Sequence, residues 1–263
     1  RSEVLDRIRE SVSYARSNGL EVMFSCEDAT RTDYDFLREA CSVAVQAGAS
    51  IIDIPDTVGV TMPAEMYEIV YSLSRDLGVP IAAHCHNDLG LAVANALAAV
   101  EAGAEMVHTC VNGIGERAGN TSLEEVAMIL KCHKGLGIDT NINTQKICAT
   151  SRLISSLMNM PVQPNKAIVG RNAFAHSSGI HQDGILKNVE TYEIISPKDV
   201  GVDENSIILT ARSGHAALKH RLEILGVEVD DDKLNKIYEN FLSLDLQGLL
   251  CLGGEDDLTL DDQ

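Results

Sequence analysis

A repeat constrains this chain more than any other feature. Four short apolar runs recur along it: EVMFS at 21–25, SIIDIP at 50–55, VPIAAH at 79–84 and AEMVHTCV at 104–111. Strand-like runs about 25 to 30 residues apart, with helical periodicity between them, spell a parallel βα series, because parallel strands need a long crossover and a helix supplies it. The intervening segments fit that reading. Residues 34–47 place Phe36, Leu37, Ala40, Val43 and Ala44 on one face, and Pro63 stands where a helix tolerates proline, in its first turn. The Ala-rich 91–101 stops at Gly103, and AGAS and AGAE close the 34–47 and 91–101 helices with the same turn chemistry.

The residues that follow each run carry the chemistry: Glu27-Asp28, Asp56-Thr57, His84 to Asp88, and NGIGERAGN from Asn112. Polar groups at the C-terminal ends of successive parallel strands are where both (β/α) barrels and open α/β sheets build sites. Asp28, Asp33 and Asn87 are equally at home as helix N-caps, which explains neither His84 nor His86. Four units do not close a barrel of eight, and the first element, 3–17, is already a helix leading into a strand. The residues alone therefore leave two architectures open, a barrel whose first four units lie upstream or an open sheet.

After about residue 140 the repeat stops. INTQKICATSRLISSLMNM reads as helical, Pro161 and Pro164 mark a linker, and RNAFAHSSGIHQDG is polar and Gly-bearing. SGHAALKHRLEILGVEVDDDKLNKIYENFLSL reads as two amphipathic helices joined at Gly226. The division expected is 1–142 for the βα series, 143–187 for a linker subdomain carrying His181, and 188–263 for a helical subdomain.

Charge and cysteine content narrow the class. Lys plus Arg number 21 against 39 Asp plus Glu, and a net charge of −18 argues against non-specific binding to nucleic acid or to an anionic membrane. Seven cysteines, an odd number without a CxxC pair, suit reduced thiols. With no long apolar run and a charged amphipathic N-terminus in place of a signal peptide, a soluble, cytoplasmic protein is expected. A chain starting at Arg1 without Met is expected to lack something upstream.

His84 and His86 lie two apart in a strand, so alternation puts both imidazoles on one face and Cys85 on the other. Two such imidazoles form half of a divalent-metal site that needs oxygen ligands from other strand ends. NGIGERAGN formally contains the dinucleotide pattern G-x-G-x-x-A, but it sits fourth in the series with Glu116-Arg117 inside the loop. A tight loop that lets Asn120 approach a bound ion or substrate is the better reading. Glu27, after the apolar VMFS, is the candidate general base at a half-desolvated mouth, and His181 in GIHQDG is a second acid/base candidate.

Five segments, FSCEDATR at 24–31, DTVG at 56–59, HCHNDLGLAVAN at 84–95, NGIGERAGN at 112–120 and GRNAFAHSSGIHQDG at 170–184, occur in an order that resembles the 2-isopropylmalate synthases. The wider group is the metal-dependent Claisen-condensing enzymes and lyases built on a TIM barrel, with the homocitrate and citramalate synthases and hydroxymethylglutaryl-CoA lyase. The resemblance spans about residues 3–243 and implies an α/β fold, the C-terminal half of a (β/α)8 TIM barrel followed by a mainly helical subdomain. It implies condensation of acetyl-CoA with 2-oxoisovalerate to 2-isopropylmalate and CoA, an acyl transfer that opens leucine biosynthesis, with a divalent metal (Mn, Mg or Zn).

By motif match, the resemblance makes His84, His86 and Asn120 the metal residues and has Thr57 hold the keto-acid carboxylate. It places Ser25 and Asp53 around the keto acid's side chain, and makes His181, supported by Glu27 and with Tyr192 nearby, the acid/base group that forms the acetyl enolate. In that family His181 and Tyr192 come from the neighbouring subunit, which implies a homodimer with exchanged C-terminal subdomains. The family's first-strand Asp-Arg-Glu motif has no match here, so the chain alone is expected to be inactive. The pattern also fades after Leu244, so feedback control by leucine is not expected of it. Competing readings are a homocitrate or citramalate synthase, a non-catalytic half-barrel module, and a nicotinamide-dependent dehydrogenase.

Overall fold

A computed structural model describes residues 1–176, 194–202, 206–207 and 213–243. The chain divides into two compact units, Arg1–Ile142 and Asn143–Gln263. In the first unit, strands β1 (Met23–Ser25), β2 (Ile51–Asp56), β3 (Ile81–Cys85) and β4 (Met106–Val107) form one parallel sheet in sequence order. Around it run helices α1 (Ser2–Ser17), α2 (Tyr34–Gln46), α3 (Pro63–Leu77), α4 (Ala92–Glu101) and α5 (Leu123–Cys132). Four sequential parallel strands with flanking helices are half of a (β/α)8 barrel.

Local chemistry sets the helix ends. Asp33 caps α2 by accepting from the Phe36 N–H at 3.3 Å, and Glu65 reaches back to the Met62 N–H at 2.8 Å just before Pro63 opens α3. AGAS and AGAE do close their helices alike: Gly48 and Gly103 both take φ 109°, and Ala49 and Ala104 bond back to Ala44 and Ala99 at 2.9 and 2.8 Å.

Pairing Ser25↔Asp53, Pro55↔His84 and Ala82↔Met106 fixes which residues share a sheet face. One face turns Ile52, Ile54, Ala83 and Cys85 into a core with Leu37, Cys41, Ala44, Met66, Val70, Leu73 and Ala99. Met66, Val70 and Leu73 are wholly buried, each such side chain stabilising by about 1.5–3 kcal/mol. The other face carries Ser25, Asp53 and His84, and its Met23 and Met106 remain about two-fifths exposed. The fourth strand is much shorter than the apolar run 104–111 suggested. Beyond Val107 the His108 N–H still reaches Ala83 O at 2.9 Å, but Cys110 then bonds to Thr121 instead of continuing the ladder.

In the second unit, a single 3-10 turn (Thr144–Lys146) precedes α6 (Ile147–Met158), so the helix expected over the whole segment is shorter. β5 (Ala175–His176) pairs in parallel with β6 (Ser206–Ile207), a small sheet absent from the sequence reading. The two helices are α7 (His215–Ile224) and α8 (Asp231–Ser243), and Gly226 turns the chain between them at φ 71°. α8 is amphipathic as expected, whereas α7 is not, its apolar and polar residues being mixed around the helix. Stacking of His215 on Tyr238, with centroids 3.8 Å apart, and the Tyr238 hydroxyl on Ser213 O at 3.0 Å tie α8 to the start of α7.

Candidate metal and active site

The alternation expected of β3 holds. Cys85 points into the core, 1% exposed, and burial pushes its thiol up to about 12, so it is inert as a nucleophile. His84 and His86 point the other way, and their Nε2 atoms converge to 3.3 Å. His86 Nδ1 donates to the carbonyl of Thr57 at 2.6 Å, which leaves the lone pair of His86 on Nε2. Burial, with smaller contributions from His86 and His108, holds His84 below the usual histidine range against the opposing pull of Asp53. A neutral imidazole at pH 7 is the form that ligates a metal.

Thr57 joins three strand ends. Its carbonyl receives His86, and its Oγ1 accepts from the Asp28 N–H at 2.8 Å across from β1. Asp56 beside it is fully buried, accepting from the N–H groups of Val60 and Thr61 and the Thr30 hydroxyl at 3.2 Å each, and from Asn95 at 3.4 Å. That carboxylate shapes the turn after β2. Arg117 locks the turn from above: its guanidinium grips Asp88 through two bonds of 2.8 and 2.9 Å and donates to Thr57 O at 2.7 Å. Arg117 in turn holds the Asp88 carboxyl below its usual range.

Asn120 pairs with His86 in an isolated antiparallel bridge. Its amide donates to Cys110 Sγ at 3.3 Å, while its Oδ1 is buried without a hydrogen-bond partner. A Cβ on Gly115 would stand 2.5 Å from Asn120 Cγ and Oδ1, and one on Gly119 would collide with Gly113 O. The glycines of NGIGERAGN therefore fold the loop onto itself and make room for a carboxamide. They do not form a phosphate cradle.

The structure thus gathers His84, His86, Asn120 and Thr57. Ser25 and Asp53 meet each other, Ser25 Oγ donating to Asp53 Oδ2 at 2.7 Å, with Asp53 only 3% exposed. Glu27 is exposed, where its apolar neighbours suggested a half-desolvated mouth. His181 and Tyr192 lie outside the described residues. The sequence reading missed His108, whose Nδ1 lies 3.2 Å from His84 Nδ1 and 3.7 Å from Asp53 Oδ1. Only the β3–β4 register, which sets His108 beside His84, could have found it.

Among the described residues no three His, Cys, Asp or Glu groups are arranged to hold a cation. His108 turns its Nδ1 to the back of His84, away from the Nε2 pair. The donors present for a divalent cation are two imidazole Nε2 atoms and the buried, unpartnered Asn120 Oδ1, a mixed nitrogen and oxygen set.

Imidazole pairs and a carboxamide at the C-terminal strand ends of a parallel sheet define the class, a (β/α)-barrel sheet-end site. The chain belongs to the HMGL-like family, whose sequence model matches residues 1–154, and residues 168–247 match the homocitrate synthase post-HMGL domain-like model. It is 57% identical over 248 residues to a 2-isopropylmalate synthase of Parabacteroides distasonis, covering 93% of this chain and 50% of that protein. It is 54% identical to that of Tolumonas auensis, covering 92% and 47%. The chain spans about half the length of these curated relatives. Among solved structures, hydroxymethylglutaryl-CoA lyases share the fold. That of Bacillus subtilis has a TM-score of 0.54 at 21% identity, over 66% of this chain and 59% of its own. That of Pseudomonas aeruginosa scores 0.51 at 21% identity, over 64% and 58%. No helix among the described residues is long and apolar enough to cross a membrane.

Proposed function

We propose that this chain carries the metal-holding part of an enzyme that condenses acetyl-CoA with 2-oxoisovalerate to 2-isopropylmalate and CoA, acting in the cytoplasm on the way to leucine. The observation that carries it is the convergence of His84 and His86 Nε2, with a buried, unpartnered carboxamide oxygen on Asn120, the residue that bridges to His86, in a chain more than half identical to 2-isopropylmalate synthases.

His84, His86 and Asn120 would hold a divalent cation, which would supply a Lewis acid for the keto acid's carbonyl. The chain's own residues do the rest. Thr57, whose Oγ1 already accepts from Asp28, keeps its hydroxyl hydrogen for the substrate carboxylate. Ser25 and Asp53 face the same side of the sheet and line the keto acid's side chain. His181, supported by Glu27 and accompanied by Tyr192, removes the acetyl methyl proton, and water then cleaves the thioester to release CoA. His181 and Tyr192 are contributed by the partner of a homodimer with exchanged C-terminal subdomains.

Thiol release from acetyl-CoA, measured on the full-length protein with Mn or Mg and a panel of 2-oxo acids, tests this reading. Release selective for 2-oxoisovalerate is expected. The match of residues 168–247 to the homocitrate synthase post-HMGL domain favours 2-oxoglutarate as the second substrate to compare, with pyruvate for citramalate. Release that ignores every 2-oxo acid would sink the condensation.

A further inference from the structure

Three imidazoles stand in a row across the ends of β3 and β4, and the 2.6 Å contact of His86 Nδ1 with the Thr57 carbonyl, shorter than the 3.2 Å from the same nitrogen to Arg117 Nη2, sets the direction of the hydrogens along it. His86 Nδ1 gives its hydrogen to Thr57 O at 2.6 Å, so its Nε2 accepts, and the partner 3.3 Å away is His84 Nε2. With neutral rings, His84 therefore carries its hydrogen on Nε2 and accepts at Nδ1. The partner there, at 3.2 Å, is His108 Nδ1, which must donate. That same N–H faces Asp53 Oδ1 at 3.7 Å, a buried oxygen without any other hydrogen-bond partner. The row runs in one direction: His108 to His84 to His86 to Thr57.

A cation on the Nε2 pair is incompatible with that direction, since the Nε2 hydrogen of His84 occupies the place a ligand lone pair must take. We propose that His108 is a positioning residue of the metal site, a reversible acceptor that lets His84 change tautomer. His84 exchanges an Nε2–H for an Nδ1–H, and His108 exchanges an Nδ1–H for an Nε2–H, its freed Nδ1 lone pair now receiving His84. Each ring keeps one hydrogen, so no net proton is released by the pair and no charge is left at the buried back of the site. Partners that hold the far nitrogen of a ligating histidine set its ring orientation and basicity. His108 does this from a neighbouring strand. The inference rests on the metal reading of His84 and His86, and it adds the residue that switches them.

The test is imidazole nitrogen NMR on the full chain with labelled histidine, without metal and after one equivalent of zinc. Metal-free, His84 is expected to be the Nε2–H form and His108 the Nδ1–H form. With zinc the two exchange forms, while His86 keeps Nδ1–H throughout. His108→Phe is expected to weaken zinc binding by about 10- to 100-fold. His108→Asn, whose carboxamide oxygen can stand in as acceptor, restores most of that affinity, which a purely space-filling role would not allow. Normal zinc uptake with His84 unchanged in tautomer, or full affinity in His108→Phe, overturns the role of His108 alone. Absence of zinc uptake by the unsubstituted chain, with the metal-free forms as stated, overturns the metal reading and the role of His108 with it.

Discussion

Gly115→Ala separates the metal site from the fold. Gly115 has no left-handed backbone, so alanine brings no conformational penalty of its own. Its Cβ would lie 2.5 Å from both Cγ and Oδ1 of Asn120 and 2.8 Å from Nδ2, about 1 Å inside an ordinary contact of roughly 3.5 Å. The nearest neighbours are all atoms of one short side chain, so the relief is a rotation of that side chain at a cost of about 0.5–1.5 kcal/mol. The Asn120 oxygen leaves its present place, and in the proposed site the cation would lose its oxygen ligand. Moving a group that sets metal geometry costs about 10- to 100-fold in affinity, or about 1.4–2.7 kcal/mol. Zinc titration by calorimetry should show that loss, while the urea midpoint of unfolding moves little. Gly135→Ala is the control, because nothing lies within 4 Å of its Cβ position. Unaltered zinc affinity in Gly115→Ala would refute the placement of Asn120 at the metal.

Leu73→Ala, at a wholly buried position of α3, should destabilise the first unit by about 2–5 kcal/mol in denaturant unfolding. In the native protein an alkylating thiol reagent should modify exposed Cys132 early, and buried Cys26, Cys41, Cys85 and Cys148 only on unfolding, read by mass spectrometry. The Asp88 carboxyl is held below its ordinary 3.8 when folded, so its pairing with Arg117 stabilises above that value and is lost as pH falls through the lowered one. Asp88→Asn should therefore flatten the acid limb of a stability-versus-pH curve between about pH 4 and lower values, and leave the profile above pH 6 parallel to that of the unsubstituted protein.

What the sequence made legible was local. β2 and β3 lie at the centre of the four strands and read directly from their apolar runs, as did α2, α3 and α4 from periodicity, Pro63 and the Gly48 and Gly103 turns. The two outer strands read less well. Met23–Ser25 and Met106–Val107 are short because each has one neighbour in this sheet, and burial, which the apolar letters imply, depends on neighbours the letters do not name. Glu27 follows from the same cause: VMFS promises a desolvated surrounding, yet β1 is half-open and Glu27 is exposed. His84 and His86 were visible because alternation along one strand is a local rule. His108 was not, because a single histidine in an apolar run gains meaning only from the strand beside it.

Distance along the chain hid the clamp as well. Arg117 and Thr57 are 60 residues apart, and neither shape nor spacing announces that a guanidinium in one loop holds a carbonyl in another. The glycines of the two loops carry the same information in negative. A Cβ on Gly59 would strike Asp88, and one on Gly115 would strike Asn120, so the turn after β2 can approach the turn after β3 only through glycine, as the loop before α5 can admit the carboxamide. DTVG, HCHND and GERAGN are therefore one object in space. Thr57 O receives both His86 and Arg117, Arg117 holds Asp88 two residues beyond His86, and Asn120 bridges back to His86. Every one of those links ends at or beside the imidazole whose Nε2 meets His84. A metal ligand, the role proposed for His86, must be oriented to within tens of degrees, and here three separate loops set the orientation of that ring.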